Sequence, residues 1–149
     1  MYKTILIPLD GSKRAEAILP HVEDIAKHYS SKLILLQVIE LSWIITGPEM
    51  TYNTQYEKDM DYQTEQAKSY LGHLRKQFLE KGIDAAIQIT QGPVVDAILH
   101  VADSEKVDLI ALASHGRSGV SRVFYGSVAA GILQRVDRPL LLIRARSPM

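Results

Sequence analysis

Five short apolar runs alternate along the chain with longer segments whose apolar positions recur at helical spacing. The runs are Tyr2–Pro8, Lys32–Ile39, Asp84–Thr90, Asp108–Ala113 and Pro139–Arg144. Between them, Ile18, Val22, Ile25 and Tyr29 share one helical stripe, and Tyr70, Leu74 and Phe78 a second. Val95, Ile98, Leu99 and Ala102 form a third, and Val128, Ile132 and Val136 a fourth. Ser12 is placed to cap the first helix and Gly82 to end the second. Strand and helix in repeated alternation predict an α/β fold: an open, doubly wound parallel sheet with helices on both faces.

The runs are not equivalent. Ile5-Leu6-Ile7, Leu33-Ile34-Leu35-Leu36 and Leu109-Ile110-Ala111-Leu112 are apolar at every position, as strands covered on both faces must be. The third run sets Ala85, Ile87 and Ile89 against Asp84, Gln88 and Thr90, which predicts a half-exposed strand at a margin of the sheet. The last run, Leu140-Leu141-Leu142-Ile143, is apolar throughout. At an edge it would leave an unpaired hydrophobic ladder, which natural proteins avoid. Two solutions are open: the strand is internal, or Leu140–Arg144 pairs with the same strand of a second subunit in a homodimer. One connection, Glu40 to about Lys58, holds Trp43, Gly47, Pro48, Tyr52, Asn53 and Tyr56 without a clear period. It reads as a long loop, either a flap over a ligand or a surface excursion.

The length of 149 residues suits one domain, residues 1–149, with a single well-buried core. Seventeen Lys and Arg balance seventeen Asp and Glu. The chain therefore lacks the broad positive field that phosphate-backbone binding requires, and a nucleic-acid partner is not expected. There is no cysteine, which removes disulfides, thiolate chemistry and Cys-based zinc sites together. The first apolar run is broken by Pro8 and Asp10, too early for a signal-peptide core, and no run approaches the length of a membrane span. The expected compartment is the cytoplasm.

In open parallel sheets, ligands bind beyond the carboxyl ends of the strands where the winding reverses. The first strand ends in Pro8-Leu9-Asp10-Gly11-Ser12, and the fourth in Ala113-Ser114-His115-Gly116-Arg117-Ser118-Gly119. Both segments are rich in small residues, which let backbone amides approach an anion closely. Gly126-Ser127 then opens the last helix, whose N-terminal amides favour phosphate. The Ser127 hydroxyl is able to donate one more hydrogen bond, or to serve as the helix N-cap. No Lys follows Gly126, so this is not a Walker A loop, and no G-x-G-x-x-G follows the first strand. These residues point to an anion or nucleotide at the switch point.

The stretch Ala113-Ser114-His115-Gly116, nine further residues, then Gly126-Ser127 resembles the ATP-binding signature of the universal stress protein family. That signature is Gly, two residues, Gly, nine residues, then Gly and Ser or Thr. Ile5-Leu6-Ile7-Pro8-Leu9-Asp10-Gly11-Ser12 is similar to the family's first strand and turn. Leu35-Leu36-Gln37-Val38-Ile39 resembles its second strand, and Arg138-Pro139-Leu140-Leu141-Leu142-Ile143 its last, so the likeness spans essentially the whole chain. The resemblance implies a five-stranded sheet of order 3-2-1-4-5, of the adenine nucleotide alpha hydrolase-like kind, dimerising through the last strands. It implies that Asp10 and Val38 meet the adenine and ribose end of ATP, ADP or AMP. Gly116 would sit against the ribose and phosphates, Gly126, Ser127 and Val128 would hold the phosphates, and Pro8, Leu9, Ala113, His115, Arg117 and Gly119 complete the nucleotide-binding set. Magnesium or manganese would be bound through the phosphate oxygens. Ala113 departs from the signature, where Gly is usual. In extended backbone the added methyl costs little; against a grazing ligand it would lower affinity.

Asp10 also suits a turn that caps its own loop. Arg117 and Arg122 are placed either to face a triphosphate or to be solvated. His115 has no partner at a spacing that defines a catalytic triad, and His21, His28, His73 and His100 are scattered on helices without a metal-ligand pattern. Ser114, Ser118 and Ser121 are turn-formers or phosphoryl acceptors. The leading expectation is a dimeric regulatory module that binds ATP. The alternatives are a nucleotide-free interaction protein and an enzyme that slowly hydrolyses or transfers the terminal phosphoryl group.

Overall fold

Consecutive side chains on a strand point to opposite faces, so a strand apolar at every position must be covered twice. The computed structural model describes residues 1–40, 54–116 and 126–146. In chain order it comprises β1 (Thr4–Pro8), α1 (Leu19–Tyr29), β2 (Lys32–Ile39), α2 (Thr54–Glu80), β3 (Ala85–Gln91), α3 (Val94–Ser104), β4 (Leu109–Gly116), α4 (Ser127–Arg135) and β5 (Leu140–Arg146). A 3-10 turn, Ala15–Ile18, leads into α1. The strands form one parallel sheet in the order β3-β2-β1-β4-β5.

The double coverage is visible residue by residue. Ile5, Ile7, Leu33, Leu35, Leu109 and Ala111 pack on one face with Val22 of α1 and Leu71 and Phe78 of α2. Their neighbours Leu6, Ile34, Leu36, Ile110 and Leu112 pack on the other with Ile98 and Val101 of α3 and Ile132 of α4. The two central strands are aligned by one carboxylate. Asp108 Oδ2 accepts hydrogen bonds from the backbone N–H groups of Lys3 (2.8 Å) and Thr4 (2.9 Å), which sets the entry of β4 beside that of β1.

Three helices end in the same way. The N–H of Ile83 returns to the carbonyl of Phe78 at 3.0 Å, with Gly82 at φ +78° between them. Ser31 to Ala26 and Val107 to Ala102 repeat the bond, with Ser30 and Lys106 in the left-handed conformation. Gly82 is the expected terminator of α2; the other two positions carry no sequence signal.

As expected from its alternation, β3 lies at a margin, paired with β2 alone. The opposite margin is β5, so the internal placement of the last strand does not hold; Leu140, Leu141, Leu142 and Ile143 are only partly buried. The expected long loop also needs correction. The helix α2 begins at Thr54, inside the Glu40–Lys58 connection, and residues 41–53 lie outside the described residues. Among the described side chains in the first half of α2, Met60 and Ala67 are the buried ones, packed with Ile39 and Ile89, too few apolar positions to mark a period.

Helices α3 and α4 approach closely at Gly131, where an added Cβ would stand 2.7 Å from Cγ2 of Val95. Val95 is stiff at χ1 and cannot swing its methyl aside cheaply. Gly131→Ala is therefore expected to destabilise by about 1–2 kcal/mol in denaturant unfolding, and Val95→Ala in the same chain to recover part of the loss. A stabilised Gly131→Ala, the ordinary result for an open helical glycine, would contradict this packing.

Candidate functional site

The strand β1 has β2 on one side and β4 on the other, and the chain winds away from it in both directions. In an open parallel sheet this reversal puts the ligand site beyond the carboxyl ends of these strands. A cleft of about 360 Å³ opens there.

Its floor comes from the strands. Pro8 and Leu9 close β1, with the Leu9 N–H still paired to the Leu36 carbonyl at 2.8 Å. Leu36 and Val38 come from β2, Leu112 and Ala113 from β4, and Val94 and Ile98 from α3. Ala113 is regular strand, opposite Ile143 of β5, and its methyl packs with the core under α1 and α2. The backbone at the signature departure is therefore ordinary extended strand, and Ala113 both packs against the core and borders the cleft.

One wall is the segment after β1. Asp10 Oδ1 accepts the Ser12 N–H at 2.9 Å, Gly11 turns the chain at φ +87°, and Ser12 Oγ accepts the Ala15 N–H at 3.1 Å. Asp10 thus makes the local turn through one carboxylate oxygen. Ser12 is not the cap expected of it: the N-cap of α1 is Ile18 and that of the 3-10 turn is Arg14, and Ser12 instead braces the turn ahead of both. Glu16 within that turn is held from outside: the Tyr70 hydroxyl of α2 donates to Glu16 Oε2 at 2.7 Å. Burial first, then the Glu16 carboxylate, push the Tyr70 hydroxyl far above the ordinary tyrosine range, so it remains a protonated donor.

The opposite wall is the start of α4. The N-cap is Gly126, not Ser127, at φ 85° and ψ 149°, a conformation open essentially to glycine alone. The first helical hydrogen bond runs from the Ala130 N–H to the Gly126 carbonyl at 3.0 Å. Gly126, Ser127, Val128 and Ala129 therefore carry the N–H groups that have no partner inside the helix, and all four line the cleft. No side chain caps this end. Ser127 is the first helical residue and exposed, so its hydroxyl is not committed to the capping role.

Eight of the expected site residues meet in this cleft: Pro8, Leu9, Asp10, Val38, Ala113, Gly126, Ser127 and Val128. His115 and Gly116 complete β4, opposite Ala145 and Arg146 of β5, three residues further along the strand than the expected end at Ala113. Arg117 and Gly119 lie outside the described residues. Sequence reasoning missed Arg14 and Glu40, the two further charged side chains of the cleft. Glu40 directly follows β2 and Arg14 lies four residues beyond Asp10, so proximity to strand ends was the available signal.

The model of the universal stress protein family matches residues 1–144. The chain is 27% identical over 159 aligned positions to Universal stress protein MJ0577 of Methanocaldococcus jannaschii, covering 99% of this chain and 98% of that protein. It is 30% identical to Universal stress protein Sll1654 of Synechocystis, covering 96% and 86%. The solved structure of MJ0577 superposes with a TM-score of 0.83 at 28% identity, covering 99% of both chains. The fold is shared by a universal stress protein solved in complex with cAMP (TM-score 0.62, 22% identity, covering 97% and 98%). It is also shared by an Arabidopsis thaliana family protein solved with AMP bound (TM-score 0.68, 14% identity, covering 97% and 93%).

Proposed function

Because the chain belongs to the universal stress protein family, we propose that it is a regulatory module that binds an adenine nucleotide, ATP foremost, in the cleft between β1 and β4. The observation that carries this reading is the start of α4, which among the described residues has no side-chain cap and whose four N–H groups without a partner inside the helix belong to cleft-lining residues. Backbone donors at a helix N-terminus suit a phosphate with no further side chain required. The apolar floor of Leu36, Val38, Val94 and Ile98 suits the face of a purine, and Asp10 suits ribose hydroxyls. That two proteins of this fold were solved with AMP and cAMP agrees with an adenine nucleotide as the ligand.

Among the described residues, no three His, Asp or Glu side chains come together as a metal site. Magnesium or manganese accompanying the nucleotide would therefore take most of its ligands from the phosphate oxygens and water. The role of Gly116 against the ribose and phosphates, and of Arg117 and Gly119 beyond it, belongs to the same proposal. So does the homodimer: the open edge of β5 with its partly buried leucines is a surface that a second copy of the strand would cover.

Titration calorimetry of nucleotide-stripped protein tests the reading. ATP with magnesium is expected to bind with a dissociation constant well below millimolar. Absence of binding up to millimolar ATP would reject it.

A further inference from the structure

The cleft is electrically unlike at its two ends. Glu40 stands where β2 runs out and Asp10 where β1 does, so carboxylates mark the side of the first two strands. The start of α4, with N–H groups that have no partner inside the helix, marks the β4 side. A phosphate chain is repelled from the first and attracted to the second.

Arg14 belongs to the attractive side. It directly precedes the 3-10 turn, and that turn packs on β4 and β5 rather than on β2. Of the adjacent cations Lys13 and Arg14, Lys13 is exposed and does not line the cleft, whereas Arg14 is half-buried and does. The backbone that carries it is fixed on both sides. Ser12 is held by Asp10 and in turn holds the Ala15 N–H, and Glu16 is held by Tyr70. Arg14 already has an interaction partner within the chain, and its guanidinium carries five N–H donors in a planar fork that suits phosphate oxygens.

Resting on the nucleotide reading above, we propose that Arg14 is a specificity residue that contacts the phosphates beyond the first, so that this chain prefers ATP and ADP to AMP. The first phosphate is satisfied by the amides of α4, which offer the same donors to all three nucleotides. Only a longer phosphate chain gains from a cation on the facing wall.

The test is calorimetric titration of wild-type, Arg14→Gln, Arg14→Lys and Lys13→Gln proteins with ATP, ADP and AMP at one ionic strength. Arg14→Gln is expected to weaken ATP about ten- to a hundredfold and to leave AMP nearly unchanged. Arg14→Lys should lose part of the ATP affinity, because an ammonium cannot make the bidentate contact, and Lys13→Gln should match wild type. Equal losses for AMP and ATP in Arg14→Gln, or an equal ATP loss in Lys13→Gln, would overturn the assignment. Should Arg14→Gln fail to fold, Arg14→Lys decides, and a titration identical to wild type overturns the role. Wild-type protein that binds none of the three nucleotides defeats the nucleotide reading itself; wild-type binding with an unaltered Arg14→Gln defeats only the role of Arg14.

Discussion

Gly126→Ala is expected to weaken ATP binding about a hundredfold while the chain stays folded. The N-cap of α4 sits at φ 85° and ψ 149°, where a Cβ is strained by about 1–3 kcal/mol. The segment relieves that strain by rotating toward negative φ, and rotation re-aims the N–H groups of Ser127 and Val128 away from the cleft. Each hydrogen bond to a charged phosphate contributes about 1.5–3 kcal/mol, so misaligning two of them accounts for the loss. Stability changes less, because a helix terminus frays without exposing the core. Gly72→Ala is the control. Gly72 lies inside α2 with open space around its Cβ position, so alanine there should stabilise by about 0.5–1 kcal/mol and leave affinity alone. Unchanged ATP affinity in Gly126→Ala would place the ligand away from α4.

Arg138→Ala is expected to produce the largest loss of stability, about 2–3 kcal/mol, with a melting temperature lower by about 4–12 °C. The Arg138 side chain is 17% exposed, and its guanidinium closes the carboxyl end of α3. Its Nη1 donates to the carbonyls of Ala102 at 2.7 Å and Val107 at 3.2 Å, its Nη2 to the Asp103 carboxylate, and its Nε to Asp137 Oδ1 at 3.0 Å. The ion pairs are the lesser part, because Asp103 and Asp137 are 70% and 75% exposed and water screens them. The carbonyls are the greater part, since in this part-buried setting the Ala102 oxygen loses its second donor and the Val107 oxygen the one from Arg138, and water replaces them poorly. Two further outcomes follow from this division. Asp103→Asn should cost less than about 1 kcal/mol, and high salt should not reproduce the effect of Arg138→Ala. Equal melting temperatures for Arg138→Ala and wild type would contradict the account.

The fold was legible because its strands declare themselves. Continuous apolar runs at Ile5–Ile7, Leu33–Leu36 and Leu109–Leu112 require cover on two faces, and the alternation at Ala85–Thr90 requires a margin. Strand order was a different matter. Nothing in a run of leucines says which strand it neighbours, and the order 3-2-1-4-5 came from the family resemblance. The start of α2 was hidden because Met60 and Ala67 are too few to set a period in a polar stretch. The site was legible where glycine or small residues mark backbone that must come close to a ligand, as at Gly11 and Gly126. Arg14 and Glu40 were illegible because a charged residue near a strand end reads as solvated until the fold shows which way its segment turns. Ser127 is the converse case. The sequence allows it to be an N-cap, and the structure gives that position to Gly126, freeing the hydroxyl.

A titration of isotopically labelled protein with ATP and magnesium, followed through its backbone amide resonances, tests the nucleotide assignment most directly. The predicted result is a set of saturable shifts concentrated on the amides of Asp10, Val38, Gly126, Ser127 and Val128. Shifts concentrated instead on the groove between α1 and α2, around Leu19, Glu23 and Phe78, or no shifts at millimolar ATP, would contradict it.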